Sequence, residues 1–396
     1  MVVRDVGFHV NIEFIYIKKN IRITQNVDTI TYKRESAVGK ILSIHHLRGI
    51  AAISVIFFHF RSILNNTYVQ QDLGTILFGS GAFGVDMFFM ISGFIIALST
   101  ERTTSSLIFA VRRFFRIYPA FIVVFLIGVF TVYKSYSSDE LLKSIVFIHR
   151  NYENTSPGFG FNILGPAWTL GYEIYFYLIF MISMAVSWKH RVIITSISLI
   201  SPIIILQIIF SGLISFSGDA SPKIPTDYYA YPALRFIGSP ILVEFAIGMA
   251  LYSIYKRINI KLSANVSLFL LSISILTFLT FYFNKNLSSF GMYGFGFWSL
   301  FLIIGFLVYD KSIGFKDNLL LNFLGDISYS IYLSHYIIIQ LLNSYRPDWW
   351  MENSGISKFL AVTTISIVAA TFLYIFVEKP FIKYGKIIES MIKNKA

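Results

Sequence analysis

Apolar runs of about twenty residues, separated by shorter polar segments, set the plan of this 396-residue chain. Ten runs are long enough to cross a hydrocarbon layer about 30 Å thick as helices: roughly 45–64, 80–99, 117–133, 167–187, 192–211, 236–255, 263–283, 292–309, 321–342 and 358–377. The longest polar interruptions, 134–166 and 212–235, predict loops. Pro222, Pro225 and Pro232 make the second an irregular one. A transmembrane barrel would instead show alternating segments of about ten residues. The pattern predicts an all-α, polytopic membrane bundle of about ten transmembrane helices.

Basic residues orient such a bundle. With the N-terminus placed inside, the inside segments hold most of the 33 Lys and Arg, including the tail through Arg48, the group Arg102, Arg112, Arg113 and Arg116, and the stretch from Lys379 onward. Both termini are expected inside. Residues 1–40 carry no signal-peptide apolar core and predict a cytoplasmic tail. Residues 41–385 predict one membrane domain, and 386–396 a short cytoplasmic tail.

Orientation turns sequence position into depth. His59 lies eleven residues beyond Arg48 on the first span, about 16 Å along a helix, past the middle of the membrane. Asp86, Glu173, Glu244 and His335 fall on four other spans, between the midplane and the outer half. Of the seven histidines, only His59 and His335 fall in the interior of a span, since His45 and His46 stand at the inner edge of the first. A charged side chain in lipid costs at least about 2.5–3.5 kcal/mol, so five ionisable groups at one level predict a shared polar cavity. The alternative for each is a structural hydrogen bond to a neighbouring helix.

A second polar layer lies at the inner face. Arg113 and Arg116 are three residues apart and share a helical face, where two guanidiniums can grip phosphate. Arg48 adds a third cation at the same level. The alternative is an ordinary positive-inside anchor. Gly79-Ser80-Gly81-Ala82-Phe83-Gly84 matches a dinucleotide-binding glycine pattern, but it follows no strand and precedes a membrane span. Helix packing explains its glycines better.

Composition narrows the choice. The chain is 55% hydrophobic and 14% charged, with mean hydropathy +0.66, against about 25% charge in soluble domains. The net charge of +12 sits in short loops and tails, which points to membrane topology and anionic lipid and away from nucleic acid. With no cysteine there is neither a thiol nucleophile nor a cysteine metal site. His59 and His335 lack a matching ligand set at metal spacing, so no metal is expected.

The two layers fit group transfer. A phosphate-bearing donor would enter from the cytoplasm, and coenzyme A, with several phosphates and a long arm ending in a thioester, is the obvious one. His59 would act as general base on an acceptor hydroxyl or would carry the acyl group itself. Asp86 or Glu173 would fix its tautomer. The competing reading is a transporter or flippase for a glycolipid or acylated sugar, since intramembrane charges suit transport too. Against it, the two halves show no paired interrupted helices.

Five motifs in order carry a resemblance. They are Arg48-Gly49 with His59 ten residues further on; Gly84-Val85-Asp86-Met87-Phe88-Phe89-Met90-Ile91-Ser92-Gly93-Phe94; Arg113-x-x-Arg116-Ile117-x-Pro119; Gly165-Pro166-Ala167-Trp168-Thr169-Leu170-Gly171-Tyr172-Glu173; and Ser328-Tyr329-Ser330-Ile331-Tyr332-Leu333-Ser334-His335. Together they resemble the membrane acyltransferase 3 family, the O-acyltransferases of bacterial surface glycans, over residues 42–385. The stretches around Trp168 and Glu244 look most like the exopolysaccharide-acetylating ExoZ-type branch. The resemblance implies a multi-pass protein of the bacterial inner membrane. It implies O-acetylation of an exopolysaccharide, lipopolysaccharide or lipid-linked sugar of the cell envelope, with acetyl-CoA or another acyl-CoA as donor. It implies His59 as the catalytic residue with Arg48 as its signature partner, and Arg113 and Arg116 as donor contacts. Trp168, Glu244, Tyr329, Tyr332 and His335 are then expected to line the substrate cavity, with Asp86 and Glu173 supporting His59. No appended outer domain is expected after the last span, so the membrane domain and its loops would meet the acceptor.

Overall fold

The computed structural model describes residues 41–259, 261–284 and 287–395. The expected N-terminal tail, 1–40, lies outside them. Among the described residues the chain is helical without strands. The long helices are α1 (Leu42–Phe60), α2 (Phe83–Ser99), α3 (Ser106–Thr131), α4 (Trp168–Val186), α5 (Arg191–Ser211), α6 (Val243–Arg257), α7 (Ala264–Phe283), α8 (Phe295–Ser312), α9 (Leu319–Tyr345) and α10 (Gly355–Leu373). A π-turn over Tyr374–Glu378 joins α10 to α11 (Lys379–Lys395).

Eight helical segments among the described residues are long and apolar enough to span a membrane, and the bent pair Tyr231–Ile237 and Pro240–Arg257 makes a ninth. The chain is a polytopic helical membrane protein. The helix α9 is not among those segments although it has 27 residues. Its buried face carries Ser328, Ser330, Tyr332, Ser334 and His335, which lower its hydropathy while protein shields them from lipid.

Helix ends follow local chemistry. The Ser105 side chain accepts a hydrogen bond from Ile108 N at the start of α3, and Asn318 does the same for Leu321 N at the start of α9. Helix α3 therefore begins well before the expected apolar run at 117, and Arg112, Arg113 and Arg116 lie inside it. Beyond the expected end of the last span at 377 the backbone stays helical, so residues 386–395, expected as a tail, form most of α11.

The crossing of α1 and α9 positions the site. A Cβ on Gly325 would lie 2.5 Å from the His45 carbonyl oxygen, and one on Gly49 would lie 2.9 Å from Gly325 N. Only glycine permits the two backbones to approach this closely. Ten residues further along each chain, about 15 Å on, come His59 and His335. The same sequence offset of 276 separates Gly49 from Gly325 and His59 from His335, as parallel helices in register require. Gly325→Ala is expected to lower stability by about 1–3 kcal/mol through overpacking, measured as thermal unfolding in detergent. Gly79→Ala is the control, since its nearest neighbour would be 3.7 Å away, and it should leave the transition unmoved.

Candidate active site

His59, near the C-terminal end of α1, is half-buried; His335 on α9 is fully buried. Both rings turn back along their own helix. His59 Nδ1 lies 2.8 Å from the Val55 carbonyl oxygen and His335 Nδ1 lies 3.0 Å from that of Ile331. A carbonyl can only accept, so each Nδ1 carries the proton. His335 Nε2 lies 3.3 Å from His59 Nδ1 and must offer its lone pair there, because a proton on it would face the His59 N–H. These contacts fix the tautomer at His59: Nδ1–H is shared between Val55 and His335, and Nε2 has no hydrogen-bond partner among the described residues. Tyr336 stands edge-on to the His59 ring, with centroids 5.7 Å apart.

The orienting contacts of His59 therefore come from Val55 and His335, whereas Asp86 or Glu173 was expected to supply them. The fully buried Asp86 accepts a hydrogen bond from Gly291 N at 2.7 Å and lies against Glu244, on α6 and also fully buried. Two carboxylates both accept, so direct contact between them needs a proton on one. Glu173 accepts from Ser92 Oγ at 3.1 Å and from the Tyr177 hydroxyl at 2.5 Å. The five ionisable residues expected in one cavity thus form three groups: the histidine pair, the Asp86–Glu244 pair, and Glu173 with its hydroxyl partners. Depth alone cannot distinguish these groups, because helices at one level face different neighbours.

A cavity of about 760 Å³ opens beside the arginines, within the usual range for small-molecule sites. Its walls hold six cations, Arg48, Arg112, Arg113, Arg116, Lys386 and Lys393, against two carboxylates, Glu173 and Glu389. Tyr329 and Tyr332 line it, while Trp168, Glu244, His59 and His335 are not among the lining residues. Trp168 is instead buried among the rings of Tyr172, Phe290 and Phe161. Tyr332 both lines the cavity and neighbours His335. Its hydroxyl lies 2.9 Å from Thr169 Oγ1, and its ring centroid is 6.1 Å from that of His335.

The cations are not equivalent. Arg48 donates to Ser328 Oγ at 3.0 Å. Arg116 Nη1 sits 2.5 Å from Glu378 Oε1, a charge pair without hydrogen-bond alignment, and the other Glu378 oxygen accepts from Ser330 Oγ at 2.7 Å. Arg112 forms a two-pronged bond to Glu389, at 2.8 and 2.6 Å. Arg113 has no carboxylate partner among the described residues. Its guanidinium lies near the rings of Phe109 and Tyr177, at 5.8 and 5.7 Å, and its Nε is buried without a hydrogen bond. Sequence reasoning missed Glu378 because it stands one residue past the expected last span. It missed Arg112 because only the Arg113–Arg116 spacing drew notice.

The family model described as "Acyltransferase domain" matches residues 41–375. The chain is 26% identical over 371 residues to "Putative O-acetyltransferase" of Staphylococcus aureus (strain COL), an alignment covering 86% of this chain and 57% of that protein. It is 25% identical over 325 residues to "Exopolysaccharide production protein ExoZ" of Rhizobium meliloti (strain 1021), covering 78% and 92%. It is 30% identical over 154 residues to "Acyltransferase MdmB" of Streptomyces mycarofaciens, covering 36% and 39%. The chain thus spans 57% of the length of the staphylococcal relatives. No solved structure matches it.

The ion pairing separates the two arginines of the motif. Arg116→Ala leaves the buried Glu378 carboxylate without its counter-charge and is expected to destabilise the protein by about 3 kcal/mol. Arg113→Ala, which strands no acid, should unfold at the wild-type temperature. Equal losses in thermal unfolding would contradict the assignment.

Proposed function

This chain belongs to the acyltransferase 3 family, and from that premise we propose that it is a membrane O-acyltransferase moving an acetyl group from cytoplasmic acetyl-CoA to a hydroxyl of an extracytoplasmic polysaccharide or lipid-linked sugar. The observation that carries this reading is the His59 tautomer. Its Nδ1–H is held by Val55 and His335 and its Nε2 has no hydrogen-bond partner among the described residues, the arrangement a general base needs. The cation-lined cavity supports a polyphosphate donor bound at the arginine end of the bundle, and the bias of Lys and Arg toward that end supports a cytoplasmic donor side.

In direct transfer, His59 Nε2 takes the acceptor hydroxyl proton as that oxygen attacks the thioester carbonyl. The C–S bond breaks, and the imidazolium returns the proton to the departing thiolate. As a transient acyl carrier, His59 would attack through the same Nε2. In both, His335 is a positioning residue that keeps the proton on Nδ1. Arg48 and Arg113 belong to the donor side, next to the Arg116 that Glu378 holds, and the acyl arm would reach the histidines past Tyr332, which lines the cavity and neighbours His335. Asp86 and Glu244 act at a distance from His59, by holding the loop before α8 against α2 and α6.

The test uses purified protein in lipid vesicles, radiolabelled acetyl-CoA and extracted surface glycan. His59→Ala should lower label transfer by about 100- to 10,000-fold while the protein still inserts and unfolds normally. His335→Ala should lower kcat with little change in KM for acetyl-CoA. Undiminished transfer by the His59 variant would remove His59 from the chemistry.

A further inference from the structure

The wall of the donor cavity is completed by a segment that no motif marked and that lies outside the family match, which ends at 375. Helix α11 lines the cavity with Ile382, Gly385, Lys386, Glu389, Ser390 and Lys393. These positions recur at three- and four-residue spacing, so one stripe of the helix faces inward. Two contacts hold the stripe against α3. A Cβ on Gly385 would lie 3.0 Å from Phe115 Cβ, so the helices pass closely there. Below it, Glu389 takes both prongs of Arg112 and also pairs with Lys393 at 2.6 Å.

These pairings leave an asymmetry of charge. Arg116 is neutralised by Glu378, Arg112 and Lys393 share Glu389, Arg48 is engaged by the Ser328 hydroxyl, and Arg113 and Lys386 have neither an acidic partner nor a hydrogen bond among the described residues. Lys386 follows Gly385 directly, where α11 passes close to α3. A cavity wall that carries both an ammonium and a guanidinium without acidic partners is a site for anionic oxygen, and phosphate is the group that takes both. We infer that Lys386 is a phosphate-binding residue of the donor site, acting with Arg113, so that α11 is part of the binding machinery. This inference rests on the acyl-CoA reading above. It assigns the phosphates to unpaired cations on two helices and leaves Arg116 to hold α3 against the end of α10.

Equilibrium binding tests the inference without turnover. Calorimetry on the full chain in phosphatidylcholine vesicles would compare CoA, which has three phosphates, with pantetheine, which has none. Lys386→Ala should weaken CoA about tenfold relative to pantetheine, the size of one charge-assisted contact. Lys386→Arg should restore most of the difference. An unchanged CoA-to-pantetheine ratio in Lys386→Ala overturns the inference. So does a ratio that shifts only in vesicles containing anionic phosphatidylglycerol, which would make a lipid headgroup the partner of Lys386. A wild-type chain that does not bind CoA overturns both this inference and the donor it rests on. Wild-type binding of CoA without acetyl transfer would count against the enzymatic reading alone.

Discussion

A carboxylate buried among membrane helices must find its counter-charge inside the protein, and the pairing of Glu378 with Arg116 is the contact on which the rest depends. It joins the π-turn after α10 to α3, and through Ser330 it reaches α9. With that turn fixed, α11 continues along α3 and closes one side of the cavity. The same pairing takes Arg116 out of competition for a ligand. Arg113, one turn away, lies near two aromatic rings and has no carboxylate partner among the described residues, so its guanidinium can meet an incoming anion.

A second constraint acts at the other end. Helices α1 and α9 are parallel and touch at Gly49 and Gly325, so residues equally far along each must meet. His59 and His335 do so, and the carbonyl bonds each makes within its own helix decide which nitrogen keeps its proton. The orientation of the His59 ring and the place of its proton are thus set by helix geometry and by a second histidine. No carboxylate is needed for this, which spares the site an uncompensated charge at membrane depth. The Asp86–Glu244 pair lies apart, bracing the loop that leads into α8.

The apolar runs revealed the helices because lipid demands unbroken hydrophobic length. They revealed the ends poorly wherever amphipathic helix continued past the apolar stretch, as at Ser106 and again through Lys395. Helix α9 shows the converse: its polar face is hidden by protein, so a motif-bearing helix at the centre of the bundle falls short on hydropathy. Arg48, His59, Arg113 and Arg116 stood out individually through depth and spacing. Their partners did not, since the His59–His335 and Arg116–Glu378 contacts join residues 276 and 262 positions apart, and nothing local in the sequence encodes such pairings. The free and neutralised cations could be told apart only once those pairs were placed.

The central claim is that one bundle joins a donor site at its arginine end to a histidine pair nearer the other end. The direct measurement is sidedness in sealed vesicles of uniform orientation. Radiolabelled acetyl-CoA is enclosed with the arginine end of the protein, and glycan acceptor is supplied only on the opposite side. The account predicts label on the glycan across an intact membrane, dependent on His59. Label appearing only when donor and acceptor share one side would contradict it.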